Sequence, residues 1–234
     1  MSTLSWNCRG LGNHRTVQAL RSNVEREVPS LVFLMETKIP RKQHYKMKEI
    51  QNSIGFTQGS IVSSEGRSGG LALLWKPETC VKIRGYSKWF IDAEIVSNSD
   101  QGGWRFTGFY GQPDTSKREE IWQILECLGR QNKLSWLCIG DYNETLSHFE
   151  MLGGQLRPAR QMDRFRNVVD LCQFRDLGYS SAKFTCSRHF ENGVSIWARL
   201  DRALANKEWI RKFPNAKMNH ISTTDSDHCM LRLH

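Results

Sequence analysis

Acidic and amide side chains recur where strands are expected to end: Asn7 on the short strand that starts at Leu4, Glu36 after Leu31–Met35, Asp141 with Asn143 after Trp136–Gly140, and Asp227 beside His228. A layered fold brings strand ends from distant parts of a chain to one edge. Glu36, Asp141 and Asp227 offer hard oxygen ligands, which suit magnesium or manganese, whereas a softer ion would normally come with clustered Cys or His. Magnesium keeps several waters and takes one or two carboxylates plus substrate phosphate, so some of these acids are free for other work. Taken singly, each reads first as a turn former or a helix cap. Only their combination carries chemistry.

The elements that must position them alternate in type. After the first strand, Val17, Leu20 and Val24 recur at helical spacing, and Leu31–Met35 is continuously apolar, as a strand buried on both faces should be. Further strands are expected at Phe56–Val62, Leu71–Trp75, Val81–Tyr86, Phe90–Val96 and Trp104–Tyr110, with Ser63–Gly70 as a loop. Ser116 followed by Glu119 and Glu120 marks a helix start, with Ile121, Leu125 and Leu128 as its buried stripe. A second helix is expected over Met162–Cys172. Beyond it come strands at Phe184–Ser187, Ala216–Ile221 and Cys229–Leu233, and a short helix at Glu208–Phe213. Many short strands with interspersed helices imply an α/β (α+β) arrangement of two packed sheets covered by helices.

Six segments appear in order: Trp6-Asn7-Cys8-Arg9-Gly10, Met35-Glu36-Thr37-Lys38, Gly108-Phe109-Tyr110-Gly111-Gln112-Pro113, Gly140-Asp141-Tyr142-Asn143, Arg199-Leu200-Asp201-Arg202 and Ser226-Asp227-His228-Cys229. On these segments the chain resembles the endonuclease/exonuclease/phosphatase family along nearly its whole length. Gly69-Gly70-Leu71-Ala72-Leu73-Leu74-Trp75, Met151-Leu152-Gly153-Gly154 and the run from Arg199 to Asn206 look most like the endonuclease domains of plant non-long-terminal-repeat retrotransposons.

The resemblance implies a two-sheet β-sandwich flanked by helices, with a cleft at one edge. It implies Glu36 as the main metal ligand, assisted by Asn7 and by Asp227 or Asp141. It places His228 beside the scissile phosphate, oriented by Asp201, either taking a proton from the attacking water or stabilising phosphoryl charge. Asp141 would align or deprotonate the water, and Asn143 and Tyr110 would donate hydrogen bonds to oxygens that gain charge. Two positions depart from the pattern of similar retrotransposon proteins. Cys186, in Phe184-Thr185-Cys186, stands where a tryptophan is usual, and Met230 follows Cys229 in place of proline.

Composition bounds the partners. A chain of 234 residues, 39% hydrophobic and 24% charged, can bury one sizeable core, so a single domain over residues 1–234 is expected. A net charge of +9 favours an anionic partner, because Lys and Arg gain affinity by displacing counterions from phosphates. Arg157, Arg160, Arg164, Arg166, Lys207, Arg211 and Lys212 are candidates for such contacts, against the alternative of a solvated helix face. Trp6, Trp75, Trp136 and Trp197 read as core residues rather than base-stacking platforms. The longest apolar runs are strand-length, and the N-terminus lacks the features of a secretory leader. The seven cysteines are scattered, as free thiols in a reducing compartment would be. The resemblance and the basic charge together imply a divalent-metal-dependent phosphodiesterase that nicks DNA by in-line water attack, expected as a monomeric, intracellular protein, nuclear because its substrate is DNA, with no membrane and no protein partner. A phosphatase acting on a phosphorylated lipid or inositol, and a silent, stand-alone relic of a retroelement, are the rival expectations.

Overall fold

Five consecutive apolar residues, Leu31–Met35, cannot leave either face in water, and all five are buried in the middle of a sheet. The computed structural model describes residues 2–66, 68–96, 102–131, 134–191 and 193–234. The first half runs β1 (Thr3–Asn7), α1 (His14–Glu27), β2 (Leu31–Met35), α2 (His44–Ser53), β3 (Gln58–Val62), β4 (Leu71–Trp75), β5 (Cys80–Tyr86), β6 (Phe90–Val96) and β7 (Trp104–Tyr110). Then follow α3 (Arg118–Arg130), β8 (Trp136–Asp141), β9 (Met151–Leu152), α4 (Ala159–Leu171), β10 (Phe174–Asp176), β11 (Cys186–His189) and β12 (Ser195–Ala198). The chain closes with β13 (Asp201–Asn206), α5 (Lys207–Lys212), β14 (Met218–Ile221) and β15 (Met230–Leu233).

Two six-stranded sheets result, in the orders β14-β15-β1-β2-β4-β3 and β10-β13-β8-β7-β6-β5, with a small third sheet β11-β12-β9. Side-chain alternation sorts each strand between two layers. Phe33 and Leu73 of one sheet meet Phe106, Leu137 and Ile139 of the other in the central core. The opposite faces, through Val32, Leu34 and Leu74, pack on Leu20, Val24, Met47 and Ile50 of α1 and α2. On the far side, Phe109, Trp136 and Cys138 pack on Ile121, Leu125, Phe165 and Val168 of α3 and α4. The expected two-sheet sandwich flanked by helices is the observed fold. A Cβ on Gly108 would run into the Phe33 ring, so glycine lets β7 approach the facing sheet there.

Several boundaries differ from expectation. Phe56 lies before β3, and the strand expected at Phe184–Ser187 is instead β11, two residues later. Asp114, not Ser116, caps the entry to α3: its carboxylate accepts from the Ser116 amide at 3.0 Å and sets a short 3-10 turn over Thr115–Lys117. Helix α2 was not expected, because charged residues dilute its buried stripe of Met47, Ile50 and Gln51. In the Ser63–Gly70 loop Arg67 lies outside the described residues, and the rest lacks strand pairing beyond isolated bridges at Ser64, Glu65 and Ser68.

A buried ion network ties β13 to the loop before β9 and to β10. Arg202, fully buried, reaches Glu150 at 2.7 Å and Asp176 at 2.9 Å, while Arg199 reaches the same two acids at 3.0 and 2.6 Å. Arg202→Met should destabilise the fold by about 3–5 kcal/mol, because it strands carboxylates in a dry environment. A urea-denaturation midpoint equal to that of the parent protein would contradict this.

Candidate active site at the strand ends

The parallel pairs place the chemistry. In β1 and β2, Asn7 lies opposite Met35, so Glu36 follows directly beside Asn7; in β7 and β8, Tyr110 lies opposite Asp141. Antiparallel β13 puts Asp201 opposite Asp141 from the other side, and His228, just ahead of β15, bridges to Cys186. Gly140 permits the last step of β8: its φ is +152°, and a Cβ there would collide with the Phe109 carbonyl oxygen.

The side chains join the two sheets at this edge. The Asn7 amide donates to Asp141 Oδ2 at 2.9 Å and to Glu36 Oε1 at 3.3 Å, and the Tyr110 hydroxyl donates to Glu36 Oε1 at 2.8 Å. His228 Nδ1 lies 2.8 Å from Asp201 Oδ2 and 3.9 Å from Asp141 Oδ2. Asn143 donates to Asp141 through its backbone (2.7 Å) and its amide (3.2 Å) and to the Gly111 carbonyl (2.9 Å). Asp227 stands apart, its carboxylate between Arg9 Nε at 3.1 Å and Arg188 Nε at 3.0 Å. The candidate metal and catalytic residues thus reach one edge, with Asp227 on its arginine-lined flank.

Local strain accompanies this convergence. Among the described residues, six non-glycine residues adopt positive φ, and four of them (Arg9, Glu36, Lys38 and Asn143) are in this cluster. Such conformations cost of order 1–3 kcal/mol each and persist where surrounding structure holds them. Here they turn the chain sharply after β1, β2 and β8, so that charged heads face inward.

Electrostatics separates the groups. Burial pushes the Asp141 carboxyl up to about 6, and the neighbouring Asp201 charge adds to the shift. Burial opposes a charged imidazole at His228, but Asp201 and Asp141 outweigh it and raise its pKa well above the ordinary histidine value. Burial also opposes the Glu36 carboxylate, yet the Tyr110 hydrogen bond and the Arg9 and Lys38 charges hold its pKa below the usual range. Tyr110 is raised by burial and by Glu36, so it remains a hydrogen-bond donor. A base, an imidazolium and a permanent carboxylate therefore coexist near neutral pH.

The donor set fits a hard divalent cation. Glu36 is ionised, and the acids around it offer oxygen only. Arg9 at 3.4 Å and Lys38 at 3.2 Å already place positive charge against this carboxylate. Asn7 turns its NH2 toward Glu36 and Asp141 while its Oδ1 accepts from the Arg9 amide at 3.3 Å, so it bridges carboxylates in this arrangement. A second group, Asp141, Asp201 and His228, brings its potential ligand atoms within 4.8 Å of one another.

Arg9 and Lys38 had no role in the sequence reading, although each stands two residues after a site residue. Trp6, Trp75 and Trp136 are buried as expected, but Trp197 is 37% exposed. It lies on β12 of the small third sheet and lines a cavity of about 170 Å3 with Phe184, Cys186, Asp227 and His228. Three of the arginines considered for phosphate contact are engaged within the protein: Arg157 pairs with Glu144 at 2.6 Å, Arg164 with Glu119 at 2.7 Å, and Arg166 with Asp163 at 2.5 Å.

The sequence profile of the endonuclease/exonuclease/phosphatase family matches residues 4–228, spanning every strand end that builds this edge. The chain belongs to that family. Its members are hydrolytic nucleases and phosphatases. A search of curated proteins finds no significant match. Among solved structures, an AP endonuclease from Leishmania major superposes with a TM-score of 0.74 at 14% identity, covering 99% of this chain and 86% of that one. The endonuclease domain of TRAS1, a telomere-specific non-LTR retrotransposon, gives 0.69 at 11% identity, with 100% and 97% coverage. A 3'-5' exonuclease from Neisseria meningitidis gives 0.70 at 13% identity, with 100% and 99% coverage. At these identities the likeness is one of fold. Among the described residues of this family member, no helix is long and apolar enough to cross a membrane.

Proposed function

We propose that this chain is a divalent-metal-dependent phosphodiesterase that nicks DNA by in-line attack of water. The observation that carries this reading is the meeting of Asp141, the Asp201–His228 pair and Glu36 at one sheet edge. Asp141, raised to about 6, is ionised above that pH and takes the proton of the attacking water. His228, held protonated by Asp201, directs Nε2–H to a phosphate oxygen that gains charge, while Asn143 donates to Asp141 and holds that carboxylate in place. Tyr110 holds the Glu36 carboxylate, and Glu36 with Asn7 and either Asp141 or Asp227 would hold magnesium or manganese. A bound hard ion supplies positive charge to the phosphate and to the departing oxygen.

The net charge of +9 and the DNA-directed enzymes among proteins of like fold support DNA as the anionic substrate, and with it a nuclear site of action. Purified protein incubated with supercoiled plasmid should yield nicked circles in magnesium and none in EDTA. Release of phosphate from an inositol phosphate with the plasmid left intact would instead establish the phosphatase reading.

A further inference from the structure

Cys186 has no part in the hydrolysis proposed above, yet its thiol lies against the histidine that does. We propose that Cys186, Asp227 and His228 form a second cation site, suited to a thiophilic divalent ion such as zinc, whose occupation blocks the hydrolytic site. The sulfur, a carboxylate oxygen and a ring nitrogen lie within 4.8 Å of one another. Cys186 and His228 are held together by a backbone bridge, and all three residues line one cavity of about 170 Å3.

The ring is oriented for coordination. Asp201 occupies Nδ1 at 2.8 Å, which leaves Nε2 for an ion, the carboxylate–histidine arrangement that supports metal-bound imidazoles. Asp227 Oδ1 lies 3.9 Å from Nε2 and is buried without an aligned hydrogen bond, although Arg9 Nε is 3.1 Å away. Arg188 on Oδ2, at 3.0 Å, and Arg9 balance the carboxylate now, so an entering ion must displace at least the Arg9 contact. Tetrahedral zinc places its ligands roughly 3.5 Å apart and accepts three protein ligands plus water. Side-chain closure of about 1 Å from the observed spread therefore suffices. A sulfur, nitrogen and oxygen set prefers zinc or cobalt over magnesium, whereas the carboxylate oxygens of Glu36 prefer the reverse. On binding, the Cys186 S–H and the His228 Nε2–H each release a proton to solvent as the metal–sulfur and metal–nitrogen bonds form, and no electrons change hands. With Nε2 engaged, His228 can no longer donate to phosphate, a consequence that rests on the proposed hydrolysis. The binding itself does not.

The test titrates cobalt(II) into protein carrying Cys80→Ser and Cys127→Ser, which removes the two exposed thiols. One equivalent should produce a sulfur-to-cobalt charge-transfer band that zinc abolishes by competition and that both Cys186→Ala and Cys186→Ser lack. No band, or the same band in these variants, overturns the site. A second arm measures plasmid nicking in excess magnesium: the zinc concentration for half inhibition should rise at least about tenfold in Cys186→Ala, with zinc-free activity retained. Equal inhibition of both proteins overturns the block. Absence of any nicking would count against the nuclease reading while the cobalt band still decided the site.

Discussion

Asp201→Asn is expected to lower the maximal rate of DNA cleavage by about 10²–10⁴-fold, the range over which a positioned acid or base contributes to a rate. Asp201 Oδ2 is the acceptor for His228 Nδ1 at 2.8 Å, and its charge is the main influence raising the imidazole's pKa against burial. An asparagine amide turns a donor toward the ring as readily as an acceptor and supplies no charge, so the tautomer and the imidazolium are both lost. The pH profile separates this from a merely structural effect. In the parent protein the rate should rise as pH passes the Asp141 value of about 6, because the base must lose its proton. It should fall again at higher pH, as His228 loses the proton it directs to phosphate. In Asp201→Asn the falling limb should move to lower pH. A reduced rate with an unmoved falling limb would mean that Asp201 acts only through packing.

Glu36→Gln should raise the magnesium concentration for half-maximal nicking by at least about 10–100-fold, the loss typical of disturbing even an outer partner of a metal site. The substitution keeps the shape and the Tyr110 hydrogen bond, whose acceptor oxygen is 2.8 Å away, but removes the charge. It also leaves Arg9 and Lys38, now 3.4 and 3.2 Å from the carboxylate, beside a neutral amide where they repel an incoming cation. Magnesium titrations of plasmid nicking with parent and variant provide the measurement. An unchanged magnesium requirement would transfer the ligand role to Asp141 or Asp227.

Much of the site could be read from the sequence because strand ends announce themselves. A buried strand such as Trp136–Asp141 must be continuously apolar, so an acid at its end stands out, and parallel pairing then aligns Asn7, Glu36, Tyr110 and Asp141 at one edge. Proximities that depend on long-range register were not legible. Cys186 meets His228 through a bridge between segments 42 positions apart, which no local pattern encodes. Arg9 and Lys38 look like ordinary turn residues until positive φ angles fold their heads back on Glu36. Trp197 carries the same hydrophobic signal as Trp136, but it lies on the three-stranded sheet and is 37% exposed, whereas Trp136 lies within a six-stranded sheet and is buried. Arg157 and Arg164 stay candidates for phosphate contact in the sequence because their acidic partners, Glu144, Glu119 and Glu126, come from earlier in the chain.

The most direct measurement is the rate of supercoiled-plasmid nicking in magnesium by the parent protein and by His228→Ala, each verified as folded by circular dichroism. The parent should nick the plasmid and the variant should be slower by about 10²–10⁴-fold. Equal rates in the two proteins, or a folded parent that leaves the plasmid supercoiled, would contradict hydrolysis at this site.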